Sequence, residues 1–255
     1  MSFSLTTDEI ISLINRSRLP TLLVEGKTDS EVLRKLESRL GVLGAIIKCN
    51  GRTRLYEIIR QKNRIKRKNI AFLADRDSGV IFGDNIDDDH LVYTWGYSIE
   101  NDILSCNIPA KLMSPEELES LKSYKLLISR WFARELEKSK NGLGEAVLDV
   151  HIEQIIDVKN AKLKSTFPEF REIEIYDTPL TRKIHRNFSR LMRGKQILQI
   201  HQSILNAPGR PSRINGSALR DICCASRKRQ LYLLLSAIRK LLLAESNVDI
   251  EEASS

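Results

Sequence analysis

The chain has 255 residues, of which 42% are hydrophobic and 29% are charged, and its formal net charge is +8. This length suits one large domain or two smaller ones. No apolar run reaches the roughly 20 residues that a membrane span needs, and the amino-terminus has no basic region typical of a signal peptide. We therefore expect a cytoplasmic protein without a membrane partner, and the positive charge favours a polyanion as ligand.

The first hundred residues alternate between short apolar runs and helical patterns. Helices are predicted over 5–16, with Thr7 as N-cap, over 27–40 and over 53–66. Strands are predicted beside them at 21–24, 45–49, 69–74 and 91–95. Short strands that alternate with helices are typical of β-α-β units and a parallel sheet. The sequence therefore predicts an α/β domain over 1–108.

After Pro109 the strand-like runs stop and helical patterns dominate. Ser114, Pro115 and the two glutamates that follow are typical of a helix start, with serine as the cap. Helices are predicted over 115–139, 143–158, 179–193, 195–206, 215–225 and 228–244, and a short strand over 173–176. We expect a mostly helical, basic domain over 109–244, followed by an acidic, disordered tail over 245–255.

Glu25 and Gly26 follow the first predicted strand, in the segment V-E-G-K-T-D. A phosphate-binding loop is excluded, because Thr21 stands where the pattern G-x-x-x-x-G-K-[ST] needs its first glycine. Glu25 is instead a candidate metal ligand or general base, and Gly26 permits a sharp turn. The alternative is a solvated glutamate that caps the helix after it.

Asp75 and Asp77 follow the third predicted strand, in the segment A-D-R-D-S-G. If the chain stays extended, their side chains point to the same side and can hold a hard cation. A turn built on aspartate and glycine is the alternative.

These acids are expected to meet, because the carboxyl ends of parallel strands open onto one crevice. Glu25, Asp75 and Asp77 would converge there, and Glu100 would join them from the stretch after the fourth strand. Carboxylates that gather without a neutralising base indicate a bound cation. Oxygen ligands of this kind suit Mg²⁺, with Mn²⁺ as the alternative.

The order and spacing of the two motifs resemble the Toprim family, the metal-binding domain of topoisomerases, bacterial primases, ribonuclease M5-type enzymes and OLD-family nucleases. The family carries Glu-Gly after its first strand and Asp-x-Asp after its third. Glu25-Gly26 and Asp75-x-Asp77 match this pattern, and Asp29 matches the E-G-x-x-D variant of the nuclease branch. Ser78 and the two residues after it replace the glutamate that topoisomerases usually carry there, which argues against a topoisomerase.

The segment S-I-E-N at 98–101 is similar to one in the Toprim effectors of PARIS-type anti-phage defence operons, and G-K-x-x-L at 194–198 fits the same group. This resemblance implies Glu100 as an additional metal or water ligand; a helix-capping or solvated acid is the alternative. It also implies a toxic endonuclease that an ABC-type ATPase partner holds silent. Once released, such an effector would dimerise and cut host RNA, with tRNA as the leading candidate.

Basic residues concentrate between 178 and 229, where twelve Lys and Arg face one acid, Asp221. A helix over 182–193 would line up four arginines on one face, and Lys195 follows it; the predicted phosphate-binding residues are Arg182, Arg186, Arg190, Arg193 and Lys195. A solvated amphipathic helix is the alternative. A second basic run, 60–68, is equally compatible with a solvated helix end.

The favoured function is a metal-dependent endonuclease in which Glu25, Asp75 and Asp77 are catalytic and bind Mg²⁺, with Asp29 or Glu100 holding a second ion. Two alternatives stay open. One is a non-catalytic nucleic-acid-binding or regulatory subunit of an ATPase complex, in which only the basic helices act. The other is an OLD-like nuclease that cleaves DNA.

Overall fold

A computed structural model describes residues 5–157, 162–166 and 170–244. The predicted acidic tail at 245–255 lies outside these residues. In the first part of the chain, helices alternate with strands in the order α1 (Thr7–Arg16), β1 (Thr21–Val24), α2 (Lys27–Lys35), α3 (Glu37–Leu40), β2 (Ala45–Lys48), α4 (Arg52–Arg60), β3 (Ile70–Ala74), α5 (Gly79–Phe82) and β4 (Leu91–Tyr93). A 3-10 helix, Lys62–Arg64, precedes β3.

The rest of the described chain is mostly helical. Its elements are α6 (Ile99–Leu104), α7 (Ile108–Lys111), α8 (Pro115–Lys140), α9 (Ile152–Ile155), β5 (Ile156–Asp157), β6 (Lys162–Leu163), α10 (Phe170–Ile175), α11 (Pro179–Arg186), α12 (Phe188–Leu191), α13 (Gly194–Leu205), α14 (Gly216–Cys224) and α15 (Arg229–Leu242). No helix in this part or the first combines the length and apolarity needed to cross a membrane, within the described residues.

The four longer strands form one parallel sheet in the order β2-β1-β3-β4. All residues of β1 and β3 are buried, as is typical of central strands covered on both faces. Leu23 and Phe72 are register partners, and they pack in one cluster with Ile10 of α1 and Ile58 of α4. The predicted α/β class, a parallel sheet with a mostly helical region after it, is confirmed.

The described residues divide into two compact units. The sheet unit comprises the described parts of Met1–Trp95 and Arg227–Ser255, and the helical unit comprises those of Gly96–Ser226. The division falls at 95 rather than at 108, and α15 belongs with the sheet. Its contacts explain why: α15 packs against β1, β3 and β4 with apolar residues at helical spacing, which are Leu231, Leu234, Leu235, Ile238 and Leu242.

The helical unit is built around α8. Ser114 caps this helix as predicted, because its Oγ accepts from the Glu117 backbone N–H while the Glu117 carboxylate accepts from the Ser114 N–H at 2.8 Å. Trp131 and Phe132 of α8 are fully buried. Arg210 donates from Nε to Glu117 Oε1 at 2.9 Å, which ties the loop after α13 to the start of α8.

Several local predictions are wrong. The cap of α1 is Thr6, which forms a capping box with Glu9, and not Thr7. The helix expected over 143–158 shrinks to α9, because Gly142 and Gly144 adopt positive φ after α8. The strand expected over 173–176 is part of α10 up to Ile175. In the first two cases a cap or glycine, rather than the apolar pattern, decides where a helix begins or ends.

Candidate functional site

Glu25 lies directly after β1, and its carboxylate contacts the end of the neighbouring strand β3. Its Oε1 accepts a hydrogen bond from the backbone N–H of Asp75 at 3.1 Å. The same oxygen accepts from Nε of Arg52, also at 3.1 Å. The register of β1 and β3 brings this about, since Val24 pairs with Leu73 and both strands end at the same edge.

Arg52 joins the two predicted motifs. While its Nε contacts Glu25, its Nη2 forms an ion pair with Asp77 Oδ2 at 2.9 Å and donates to the carbonyl oxygen of Asp75. One planar guanidinium therefore holds carboxylates that follow two adjacent strands, as its forked set of N–H donors allows. We call Glu25, Arg52, Asp75 and Asp77 the strand-end cluster.

The backbone after β2 places Arg52 in this position. The Cys49 N–H donates to the Val24 carbonyl and the Gly51 N–H to the Glu25 carbonyl, both at 2.8 Å, so pairing with the β1 segment continues past the strand. Asn50 and Gly51 then turn the chain with φ of 58° and 127°. Such values favour glycine and, to a lesser degree, asparagine. Arg52 is consequently the first residue of α4 and lies at the same edge.

Burial and charge oppose each other in this cluster. Burial raises the pKa of Glu25, and the nearby Asp77 adds to this, whereas Arg52 and the Asp75 N–H act in the opposite direction. Burial alone would lower the pKa of Arg52, but the charges of Asp77 and Glu25 outweigh it, so the pKa of Arg52 is raised. The side chain of Glu25 is 14% exposed and that of Asp77 is 41% exposed. Glu25 is thus the enclosed member and Asp77 the accessible one.

Asp75 and Asp77 do not continue the strand as expected. Asp77 has φ of 45°, in the left-handed region, so the extended geometry assumed from the sequence ends before it. Aspartate tolerates this conformation better than most residues. The Asp-x-Asp motif is therefore a turn, and this turn directs Asp77 to Arg52.

Asp29 stabilises the turn after Glu25. Its Oδ2 accepts from the Gly26 N–H at 2.8 Å as the third residue of α2, and the side chain is buried. This is one half of a capping box, and it gives the E-G-x-x-D spacing a structural reason. Its assignment as a metal ligand stays a prediction.

Glu100 belongs to the helical unit and is buried there. Its Oε2 accepts a hydrogen bond from Ser98 Oγ at 2.6 Å. The neighbouring Asn101 donates to the carbonyls of Ser189 and Met192, both at 2.8 Å. The S-I-E-N segment therefore anchors the chain just before α13, and its role as a metal ligand through Glu100 stays a prediction.

The predicted basic helix is interrupted. It ends at Arg186 in α11, resumes as α12 and stops again before Arg193, which precedes α13. Arg182 pairs with Asp177 at 3.3 Å, and Arg193 pairs with Asp149 at 2.7 Å. The prediction of one continuous arginine ridge is therefore wrong.

The remaining members of the basic set are exposed, namely Arg186, Arg190 and Lys195. The count over 178–229 overstates the available charge, because Arg182 and Arg193 pair with Asp177 and Asp149, which lie outside that range. The second basic run, 60–68, also has members that pair with acids outside it: Lys62 pairs with Asp88 at 2.6 Å and Arg64 with Asp8 at 2.7 Å. Two residues of this run therefore pair with acids of the sheet unit.

The strand-end cluster fits a hard divalent cation in its donor chemistry, because carboxylate oxygens are the ligands such ions prefer. In the structure, the guanidinium of Arg52 pairs with the carboxylates of Glu25 and Asp77, where such a cation would bind. Among the described residues, no group of three or more His, Cys, Asp or Glu is arranged to hold a metal ion. Binding of a metal ion to Glu25 and Asp77 would therefore replace the guanidinium of Arg52 at these carboxylates.

Arg52 is the residue that sequence reasoning missed. The assumption that no base lies beside the acids is wrong, and Asn50-Gly51 after the second strand was the available signal. Neither a scan against protein families nor a search of curated proteins finds a match for this chain. Function therefore has to be inferred from the residues of the site.

Proposed function

We propose that the chain is a divalent-cation-dependent endonuclease of Toprim type, with Mg²⁺ as cofactor and Mn²⁺ as a substitute. The observation that carries the proposal is that Glu25 and Asp77 reach one cationic group from the ends of adjacent parallel strands. The Glu-Gly follows β1 and the Asp-x-Asp follows β3, as in the family that the sequence resembles. Ligands bind at this edge of open parallel sheets.

Within this proposal each residue has a defined task. Glu25, Asp75 and Asp77 would hold the ion, which supplies positive charge for a phosphate and lowers the pKa of a bound water. Burial, which raises the pKa of Glu25, makes its carboxylate a better proton acceptor. Asp29 keeps the turn at Gly26 rigid. On the resemblance alone, Asp29 and Glu100 are also proposed as ligands of a second ion.

The proposed substrate is host RNA, with tRNA favoured. Exposed Arg186, Arg190 and Lys195 are proposed to contact its phosphates, because such contacts supply most of the affinity for nucleic acid. The S-I-E-N and G-K-x-x-L segments support a role as a toxic effector in anti-phage defence. In that role an ABC-type ATPase would hold the chain silent in the cytoplasm, and release would allow a homodimer to form.

A cleavage assay with purified chain tests this proposal. Pooled tRNA and plasmid DNA are incubated with Mg²⁺ or Mn²⁺, and with EDTA as a blank. Glu25→Gln should lower the rate at least about 100-fold, the lower range for loss of a general base. Glu31→Gln, an exposed acid of α2 paired with Lys27, is the matched control and should cleave like the wild type. Wild-type rates in Glu25→Gln, or a wild type without products in either metal, contradict the proposal.

A non-catalytic nucleic-acid-binding subunit is the second candidate, and one observation favours it. Arg52 already pairs with both Glu25 and Asp77, so the two acids have a cationic partner within the chain itself. A pure binder would show RNA affinity that falls with salt, without cleavage products. Products from DNA but not from RNA would instead favour the OLD-like alternative.

A further inference from the structure

We infer that Arg52 is the resident counter-ion of the strand-end cluster, and that a divalent cation binds Glu25 and Asp77 by displacing its guanidinium. The inference rests on the proposed function, since it concerns the metal that this function requires. It adds a residue and a mode of control: Arg52 keeps the two carboxylates together without metal and competes with the metal for them.

The charges explain why a counter-ion is needed. Glu25 is mostly enclosed, and Asp77 contacts the same guanidinium, so two ionised carboxylates at this site are unfavourable without a positive partner. Arg52 supplies that partner through two different nitrogens, one for each acid. Removing a charged partner from an enclosed group is strongly destabilising, because it leaves the other charge unpaired.

The contacting atoms explain why the two cations compete. Arg52 occupies Oε1 of Glu25, Oδ2 of Asp77 and the carbonyl oxygen of Asp75. These are oxygens from the ends of both strands, so an ion that uses the same oxygens enters the space that the guanidinium fills. A divalent ion binds oxygens more closely and with twice the charge, so at sufficient concentration it displaces the guanidinium.

A second partner keeps Arg52 near the site after displacement. Its guanidinium carbon lies 5.7 Å from the ring centre of Tyr56, one turn along α4, where a cation–π contact forms. Tyr93 donates its proton to the Ile86 carbonyl at 3.0 Å, so the Tyr56 hydroxyl donates to Tyr93, also at 3.0 Å. The Tyr56 ring is thereby fixed, and it offers the guanidinium a contact independent of the carboxylates.

Mn²⁺ binding to the full chain tests the inference, with free Mn²⁺ followed by electron paramagnetic resonance. Arg52→Gln should bind Mn²⁺ about tenfold more tightly than the wild type or better, since an opposite charge at this range biases a carboxylate by roughly one to three pKa units. Its melting temperature should be lower than the wild type's in EDTA and should recover with Mn²⁺. Arg60→Gln removes the same charge from the exposed end of α4 and should leave Mn²⁺ affinity unchanged.

The outcomes separate this inference from the proposed function. Tighter binding in Arg52→Gln alone supports the inference. Equal or weaker binding in Arg52→Gln, beside a wild type that binds Mn²⁺ and cleaves, overturns the inference and leaves the function standing. No Mn²⁺ binding in either protein overturns both.

A second measurement decides the matter if Arg52→Gln does not fold. The Nε–H signal of Arg52 is followed in nitrogen-edited NMR spectra of the wild type, after assignment by its loss in Arg52→Lys. Saturating Mg²⁺ should shift this signal as the bond to Glu25 breaks, and a signal that stays in place overturns the inference.

Discussion

The sheet unit and the helical unit gather charged residues in different ways. At the strand ends, backbone pairing between β1 and β3 places Glu25 beside Asp75, so that the Glu25 carboxylate accepts from the Asp75 N–H. In the basic segment, alignment depends on a helix that stops and restarts between Arg186 and Gly194. Strand register therefore allows the residues that lie close together to be predicted from the sequence. Helical spacing allows this only where the helix is continuous.

The largest expected effect concerns the accessible acid of the strand-end cluster. Asp77→Asn keeps the size and tolerates the left-handed φ of 45°, but it removes the charge that contacts Arg52. We expect metal-dependent cleavage to fall about 100-fold or more. Asp87→Asn, an exposed acid in the loop before β4, is the control. Equal cleavage rates for the two variants would contradict the claim that the site is formed by the residues that follow the strands.

The next effect concerns the anchor of the basic segment. Asn101→Ala removes the donors to the Ser189 and Met192 carbonyls and the acceptor for the Ser98 N–H. We expect the free energy of unfolding to fall by about 2–4 kcal/mol, because buried polar groups lose their partners. Asn187→Ala loses only an exposed bond to the Lys183 carbonyl and should change it by less than about 0.5 kcal/mol. Urea unfolding that ranks the two variants equally would remove Asn101 as the anchor.

The parallel sheet, the start of α8 and the placement of both acidic motifs were predictable, because apolar strands, Ser-Pro caps and strand order leave few alternatives. Arg52 was not: Asn50-Gly51 indicates a turn before it, but its ion pairs with Glu25 and Asp77 are tertiary contacts that the spacing does not show. The pairing of Arg182 and Arg193 was also hidden, because Asp177 and Asp149 lie outside the basic range. Residues that act through tertiary contacts leave little trace in spacing.

The two units should also respond differently to acid. Burial lowers the pKa of His201 in α13 from 6.5 to about 4, so the unfolded chain binds more protons between these values. Its contribution to stability is complete above pH 6.5 and is lost as the pH falls towards 4, by roughly 1.4 kcal/mol per pH unit.

Glu25 has the opposite sign. The pKa of Glu25 is higher in the folded protein than its ordinary value of 4.5. The stability that this adds is fully present below pH 4.5 and is lost as the pH rises through the higher pKa of the folded state. The free energy of unfolding is measured against pH. His201→Gln should remove the part that rises with pH between 4 and 6.5, and Glu25→Gln should remove the part that falls with pH above 4.5. If His201→Gln keeps the wild-type slope between pH 4 and 6.5, burial of the imidazole does not control it.

The smallest effect compares exposed Lys195 with Arg182, which is also exposed but pairs with Asp177. Lys195→Gln should lower the slope of log affinity against log salt for single-stranded RNA by about 0.7, as expected for one lost phosphate contact. Arg182→Gln should change the slope less, because Asp177 already holds that side chain. Fluorescence anisotropy at several salt concentrations makes the comparison, and a larger change for Arg182 would reverse the assignment of phosphate contacts.

A crystal grown with Mn²⁺ and measured at an anomalous wavelength tests the central claim most directly. The account predicts a strong anomalous peak bound by Glu25 and Asp77, with the Arg52 guanidinium moved off both carboxylates. Saturating Mn²⁺ that leaves no peak there, with Arg52 still bridging Glu25 and Asp77, would contradict it.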